Sequence, residues 1–68
     1  MKISIFIVRS KKKTDVIFLE DNSISRLFDL LKHLNLNKNE VSVVINERLT
    51  VRNEKIKNND IIKIFTIK

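Results

Sequence analysis

A chain of 68 residues makes one domain at most, here residues 1–68, and buries only about 60% of the surface its unfolded form exposes, so everything must fit one small core. It has no cysteine and a single histidine, His33, which excludes disulfides, thiol chemistry and cysteine-bearing zinc sites, and 43% hydrophobic with 32% charged residues is a globular balance rather than a disordered one. The net charge of +6 is a weak pointer to polyanions, because Gly, Pro, Ala and Trp are absent while Lys, Asn and Ile abound, as drift towards AT-rich codons produces.

Met1, Ile3, Ile5 and Ile7 alternate with Lys2, Ser4, Phe6 and Val8, the period-two pattern of a strand. Arg9 to Lys13 reads as a solvated turn, and residues 1–13 carry five basic groups and no acid. Residues 14–20 resume β-branched and aromatic content, so the first twenty residues predict a hairpin. Asn22 or Ser23 is suited to cap a helix. Ile24, Leu27, Phe28, Leu31 and Leu34 then share one helical face, with Ser25, Arg26, Asp29, Lys32 and His33 opposite. This helix, expected over 23–34, gives way to a polar stretch where Asn35, Asn37 and Asn39 all tolerate the left-handed conformation that ends a helix. Residues 41–45 predict a third strand, Asn46-Glu47-Arg48 a turn, 49–52 a short extended piece, Asn58-Asn59-Asp60 a further turn and 61–67 a last strand. The order is β-β-α-β-β, with 49–52 counted provisionally, and the helix stripe suits one face of a sheet in a two-layer α+β domain. Leu27, Phe28 and Leu31 are expected to be buried against Ile3, Ile5, Ile45, Ile62 and Ile64.

That order, together with Val43-Val44-Ile45-Asn46-Glu47, then Val51-Arg52, Ile56, and Asn59-Asp60 leading into the last strand, resembles the small sulfur carriers of the ThiS/MoaD family. Their pattern is a hydrophobic strand ending in Asn-Gly and, later, a Gly-Asp turn before a final strand. The Val51-Arg52 pair and the short length are more similar to the thiamine-pathway branch, ThiS, than to the longer molybdopterin branch, MoaD. The resemblance implies a β-grasp (ubiquitin-like) fold, a mixed four- to five-stranded sheet packed on one helix. It also implies a sulfur carrier of thiamine (thiazole) biosynthesis that is not itself an enzyme and needs no cofactor. Its partners would be a ThiF/MoeB-type adenylylating enzyme and a thiazole synthase.

Three departures stand out. Asn59 replaces a family Gly, a mild change because Asn tolerates positive φ. Glu47 replaces another, and since a type I′ turn wants φ > 0 at both central residues, a different loop type is expected there. Family carriers end in Gly-Gly, whose carboxylate is adenylylated by an ATP-using enzyme and then converted to a thiocarboxylate; without Cβ atoms such a tail threads a narrow channel. The sequence stops at Lys68, where the carrier tail is expected to begin. Two readings follow, a shortened sequence of a true carrier and a tail-less relative acting through protein-protein contacts.

His33, with Asp29 four residues earlier, reads as a solvated pair, and Lys11-Lys12-Lys13 as a solvated loop ahead of a phosphate grip. No paired-carboxylate, Ser/His/Asp or Gly-rich phosphate motif is present, so catalysis is not expected. The sharper signal is apolar residues on the wrong face. With Ile62 and Ile64 under the helix, Phe65 and Ile67 face the other way; with Ile3, Ile5 and Ile7 inward, so do Phe6 and Val8, and Val44 joins them. Phe6, Val8, Val44, Phe65 and Ile67 therefore form the expected partner-binding surface, which also permits weak self-association. The rival reading is a non-carrier β-grasp binding module, like the TGS domains of RNA-linked enzymes, offering its basic first hairpin to RNA; nucleic acid is the less expected partner. The apolar run Ile5-Phe6-Ile7-Val8 is far short of a membrane span of roughly 20 residues, and no signal peptide is evident. A soluble protein of the cytoplasm, or of an organelle stroma if organelle-encoded, is expected.

Overall fold

Alternation in the first twenty residues produces a hairpin of β1 (Lys2–Ser10) and β2 (Lys13–Glu20) in the computed structural model, which describes residues 2–20 and 23–66. The remaining described elements are α1 (Leu27–His33), β3 (Val41–Ile45), β4 (Arg48–Thr50) and β5 (Ile61–Thr66), with a 3-10 turn at Lys38–Glu40. The strands form one sheet in the order β2-β1-β5-β3-β4. β1 and β5 pair in parallel at its centre, and all other neighbours are antiparallel. One helix on one face of this mixed five-stranded sheet is the β-grasp architecture, as expected. No described helix is long and apolar enough to cross a membrane.

Register makes the core. Ile17, Ile5, Ile62 and Ile45 stand side by side across four strands, and Ile7, Ile64 and Val43 form the next row. Side chains that neighbour one another across strands share a face, so both rows meet the helix together. Leu27, Leu30 and Leu31 are buried with them, and Ile5, Leu30, Ile62 and Ile64 have no exposed surface. The expected burial of Leu27 and Leu31 holds. Phe28 is only half-buried at the edge of this cluster, and Leu30, absent from the expected stripe, takes a central place. A two-turn helix presents the i, i+3, i+4 set Leu27, Leu30 and Leu31, with Phe28 turned to one side.

The helix is shorter than the expected 23–34 and begins at Leu27. Asn22 lies outside the described residues, and Arg26, at the N-cap position, is extended (φ −128, ψ 158) with no side-chain cap bond. Residues 24–26 run instead as an extended arm along 53–56. Arg26 bridges to Lys55, and the Ile56 N–H donates to the Ser25 carbonyl at 2.9 Å. The first helical N–H groups, which have no partner inside a helix, are satisfied from that same segment. Leu27 donates to the Glu54 carbonyl (2.9 Å) and Phe28 to Asn53 Oδ1 (2.8 Å). The far end behaves as read from the sequence. Asn35 is left-handed (φ 59), and the Leu36 N–H to Leu31 carbonyl (2.8 Å) and Asn35 N–H to Lys32 carbonyl (3.0 Å) bonds complete a Schellman motif. Asn37 has a different task, accepting from the Asn39 N–H at 2.9 Å to open the 3-10 turn.

Both hairpins are tighter than expected. β1 continues through Arg9 to Ser10, with a register irregularity between Val8 and Ser10, so the first turn shrinks to Lys11-Lys12. Arg9 is held by Asp15 at 2.7 Å. The β3–β4 connection is a two-residue loop in which Asn46 (φ 49) and Glu47 (φ 69) are both left-handed, the type I′ turn that Glu47 argued against. The reason lies in β5. The Asn46 N–H donates to the Ile61 carbonyl and Asn46 Oδ1 accepts from the Ile61 N–H, each at 2.9 Å, while Asn46 Nδ2 donates to Asp60 Oδ1 at 2.9 Å. With Asn46 pinned, two residues must turn the chain, and Glu47 takes a conformation costly for a residue with a Cβ. Glu47→Gly is therefore expected to stabilise the fold by about 0.5–1 kcal/mol, after the larger entropy of the unfolded glycine chain is deducted. A raised urea midpoint with unchanged slope is the measurement; a lowered midpoint would contradict the turn assignment. Asn59 (φ 69) adopts positive φ as foreseen.

Candidate functional site

The face of the sheet away from α1 is built by the residues between the core rows. Strand neighbours place Val16, Phe6, Lys63, Val44 and Leu49 in one line across all five strands. On one side of this line lie Phe18, Ser4 and Ile61, and on the other Thr14, Val8, Phe65 and Ser42. An open face of a sheet is ordinarily polar. Here Phe18 is 78% exposed, Leu49 67%, Val16 49%, Ile61 46% and Phe65 40%. Phe6, Val8 and Val44 are half-buried because they stand between neighbours on inner strands. The middle of this surface is a shallow depression lined by Phe6, Ile61, Lys63, Asn46 and Glu47.

Of the residues expected at a contact surface, Phe6, Val8, Val44 and Phe65 are brought together on this face. Ile67 and Lys68 lie outside the described residues. Val16, Phe18, Ile61 and Leu49 were not foreseen. In β2 the run Val16-Ile17-Phe18-Leu19 is apolar at every position, so its alternation cannot tell inside from outside. The missing signal is the pairing of Phe18 with Ser4 and of Val16 with Phe6.

Two polar clusters fix the rim. Asp60, 8% exposed, accepts from Asn46 Nδ2 (2.9 Å) with one oxygen and from the Lys57 N–H (2.8 Å) with the other, and its carbonyl accepts from the Ser4 N–H at 3.1 Å. It thus ties the β3–β4 turn and the 57–60 turn to β1. Arg48 donates to Glu54 at 2.7 Å. That hydrogen bond first, and one from the Thr50 hydroxyl second, hold the Glu54 carboxyl below the usual carboxylate range. The pair anchors β4 to the segment that caps α1. His33, Asp29 and Lys11-Lys12-Lys13 are exposed, and among the described residues no group of three His, Asp or Glu side chains could hold a metal ion.

An apolar sheet face with one lysine at its centre, backed by a rigid core and lacking convergent catalytic groups among the described residues, is suited to holding another protein. Compared with known proteins, the chain matches the family model described as the ThiS family over residues 7–67. No curated protein sequence matches it.

Proposed function

The chain belongs to the ThiS family, its model spanning all but a few residues, and on that premise we propose that it acts as a sulfur carrier in the formation of the thiazole of thiamine. Members of this family are small sulfur carriers rather than enzymes, so its chemistry is done by partners. A ThiF/MoeB-type enzyme would adenylylate the carrier's terminal carboxylate, and a thiazole synthase would receive the sulfur, in the cytoplasm or an organelle stroma. Phe6, Val8, Val44 and Phe65 form the docking surface. The observation that carries this reading is the apolar line across the open face. Phe65 pairs with Val8 and Ser42 on the central strand, and the Thr66 hydroxyl donates to the Val8 carbonyl at 3.2 Å. β5 is the central strand of the sheet, so an enzyme that grips this face grips the strand from which the carrier's C-terminal segment would continue. Lys63, amid apolar neighbours, calls for an acidic group opposite it on the partner.

Burying Phe65 in a partner contributes on the order of 1.5–3 kcal/mol. Phe65→Ser is accordingly expected to weaken binding to the adenylylating enzyme roughly ten- to hundredfold by titration calorimetry, while Lys32→Ser on the helix has little effect. With enzyme and ATP, the 68-residue polypeptide itself should form no acyl-adenylate by mass spectrometry, and the same polypeptide extended by Gly-Gly should form it. If Phe65→Ser binds as the parent does, and replacing Lys11, Lys12 and Lys13 by Ser abolishes an RNA affinity that falls steeply with salt, the TGS-like module takes the carrier's place.

A further inference from the structure

β2 is an edge strand of eight residues. Proteins commonly blunt such an edge with a charge, a proline or a bulge in mid-strand, because its free backbone groups are a template for another strand. None of these protects β2. Val16-Ile17-Phe18-Leu19 runs uninterrupted through its middle. Asp15, its only charge away from the ends, is occupied by Arg9 at 2.7 Å, and the register irregularity lies at the far end of β1, between Val8 and Ser10. Phe18, on this strand, is 78% exposed and has only Ser4 beside it on β1.

We infer that β2 is an interface between two copies of this chain, pairing antiparallel with β2 of the second copy about a two-fold axis near Ile17. Charge selects the direction. β2 is entered through Lys11, Lys12 and Lys13 and ends on Glu20, so an antiparallel pair sets the basic end of each strand against the acidic end of the other, whereas a parallel pair stacks like on like. Side-chain parity selects the register. Centred on Ile17, Val16 of each copy lies opposite Phe18 of the other and Thr14 opposite Glu20, all on the open face; a one-residue slip sets open-face residues against core-facing ones. The product is a continuous ten-stranded sheet with both helices on one side, an isologous contact that closes at two copies. It leaves Phe65 and Val44 untouched and does not depend on the carrier reading.

Sedimentation of the full chain over a range of concentrations tests this. A reversible monomer–dimer equilibrium is expected. Phe18→Lys, at an exposed position, should raise its dissociation constant at least about tenfold, with an unchanged melting temperature at concentrations low enough for both chains to be monomeric. Reversing Lys12 and Lys13 to Glu should weaken the dimer, and adding Glu20→Lys to that variant should restore it. Phe65→Ser, on the open face, should leave it unchanged. A chain monomeric at every concentration, an equilibrium abolished by Phe65→Ser but not by Phe18→Lys, or a charge reversal without rescue would each overturn the inference. So would amides of β2 that gain exchange protection only when a different protein is added.

Discussion

Leu30→Ala is expected to lower the free energy of unfolding by about 2–5 kcal/mol. Leu30 has no exposed surface and belongs to the same cluster as Ile5, Ile62 and Ile64, so truncation removes apolar burial and leaves a cavity that a two-turn helix cannot close. A domain of this size without cysteines has a total stability of roughly 3–5 kcal/mol. The variant should therefore be largely unfolded, or unfold at a small fraction of the parent's urea midpoint. Leu30→Met, which keeps the volume, should cost less than about 1.5 kcal/mol and remain folded. Exposed His33→Ala should change stability by no more than about 0.5 kcal/mol. Urea unfolding followed by circular dichroism separates the three; a parent-like midpoint for Leu30→Ala would show that this residue is not at the centre of the core.

Asp60→Ala is expected to cost about 2–4 kcal/mol. It removes the acceptors of Asn46 Nδ2 (2.9 Å) and of the Lys57 N–H (2.8 Å) at a position only 8% exposed, and a hydrogen bond to a charged group contributes about 1.5–3 kcal/mol, less where, as here, water can reach the freed donors. Asp60→Asn keeps one acceptor and turns the other into a donor, so one of the two bonds survives and the loss should be about half. Because this carboxylate ties the Asn46-Glu47 turn to the start of β5, the effect should reach the open face of the sheet. Amide chemical shifts of Asn46, Glu47, Ile61 and Lys63 should move in Asp60→Asn while those of α1 stay in place. An Asp60→Ala variant as stable as the parent, with these resonances unmoved, would remove the clamp from the account.

The architecture was legible because its signals are local. Alternation in residues 2–8, the short apolar stripe from Leu27 to Leu34 and the β-branched stretches at 41–45 and 61–66 each define an element without reference to the others. Asn35 and Asn59 were legible as left-handed for the same reason, since asparagine's tolerance of positive φ is a property of the residue. Half of the apolar open face was legible too: once Ile5, Ile62 and Val43 point inward, Phe6, Phe65 and Val44 must point out.

What escaped depends on residues far apart in the chain. The helix starts at Leu27 rather than residue 23 because Asn53 and Glu54, more than twenty residues away, satisfy its first N–H groups, which leaves 24–26 free to run extended. Glu47 turns left-handed because Asn46 is held by Asp60 and Ile61. The exposure of Phe18 and Val16 follows from the pairing of β2 with β1.

By itself, the sequence determined which stretches are strand or helix, the inward face of β1, β3 and β5, and enough of a family pattern to anticipate a β-grasp carrier. Periodicity and residue-level φ preference act over a few residues and survive in a single chain of letters. Only the tertiary structure decided where the helix begins, how the β3–β4 turn closes and which face of β2 meets water. Each of these is a competition between a local preference of about 1 kcal/mol and several long-range hydrogen bonds or packed side chains, and the long-range set prevails once the sheet is assembled.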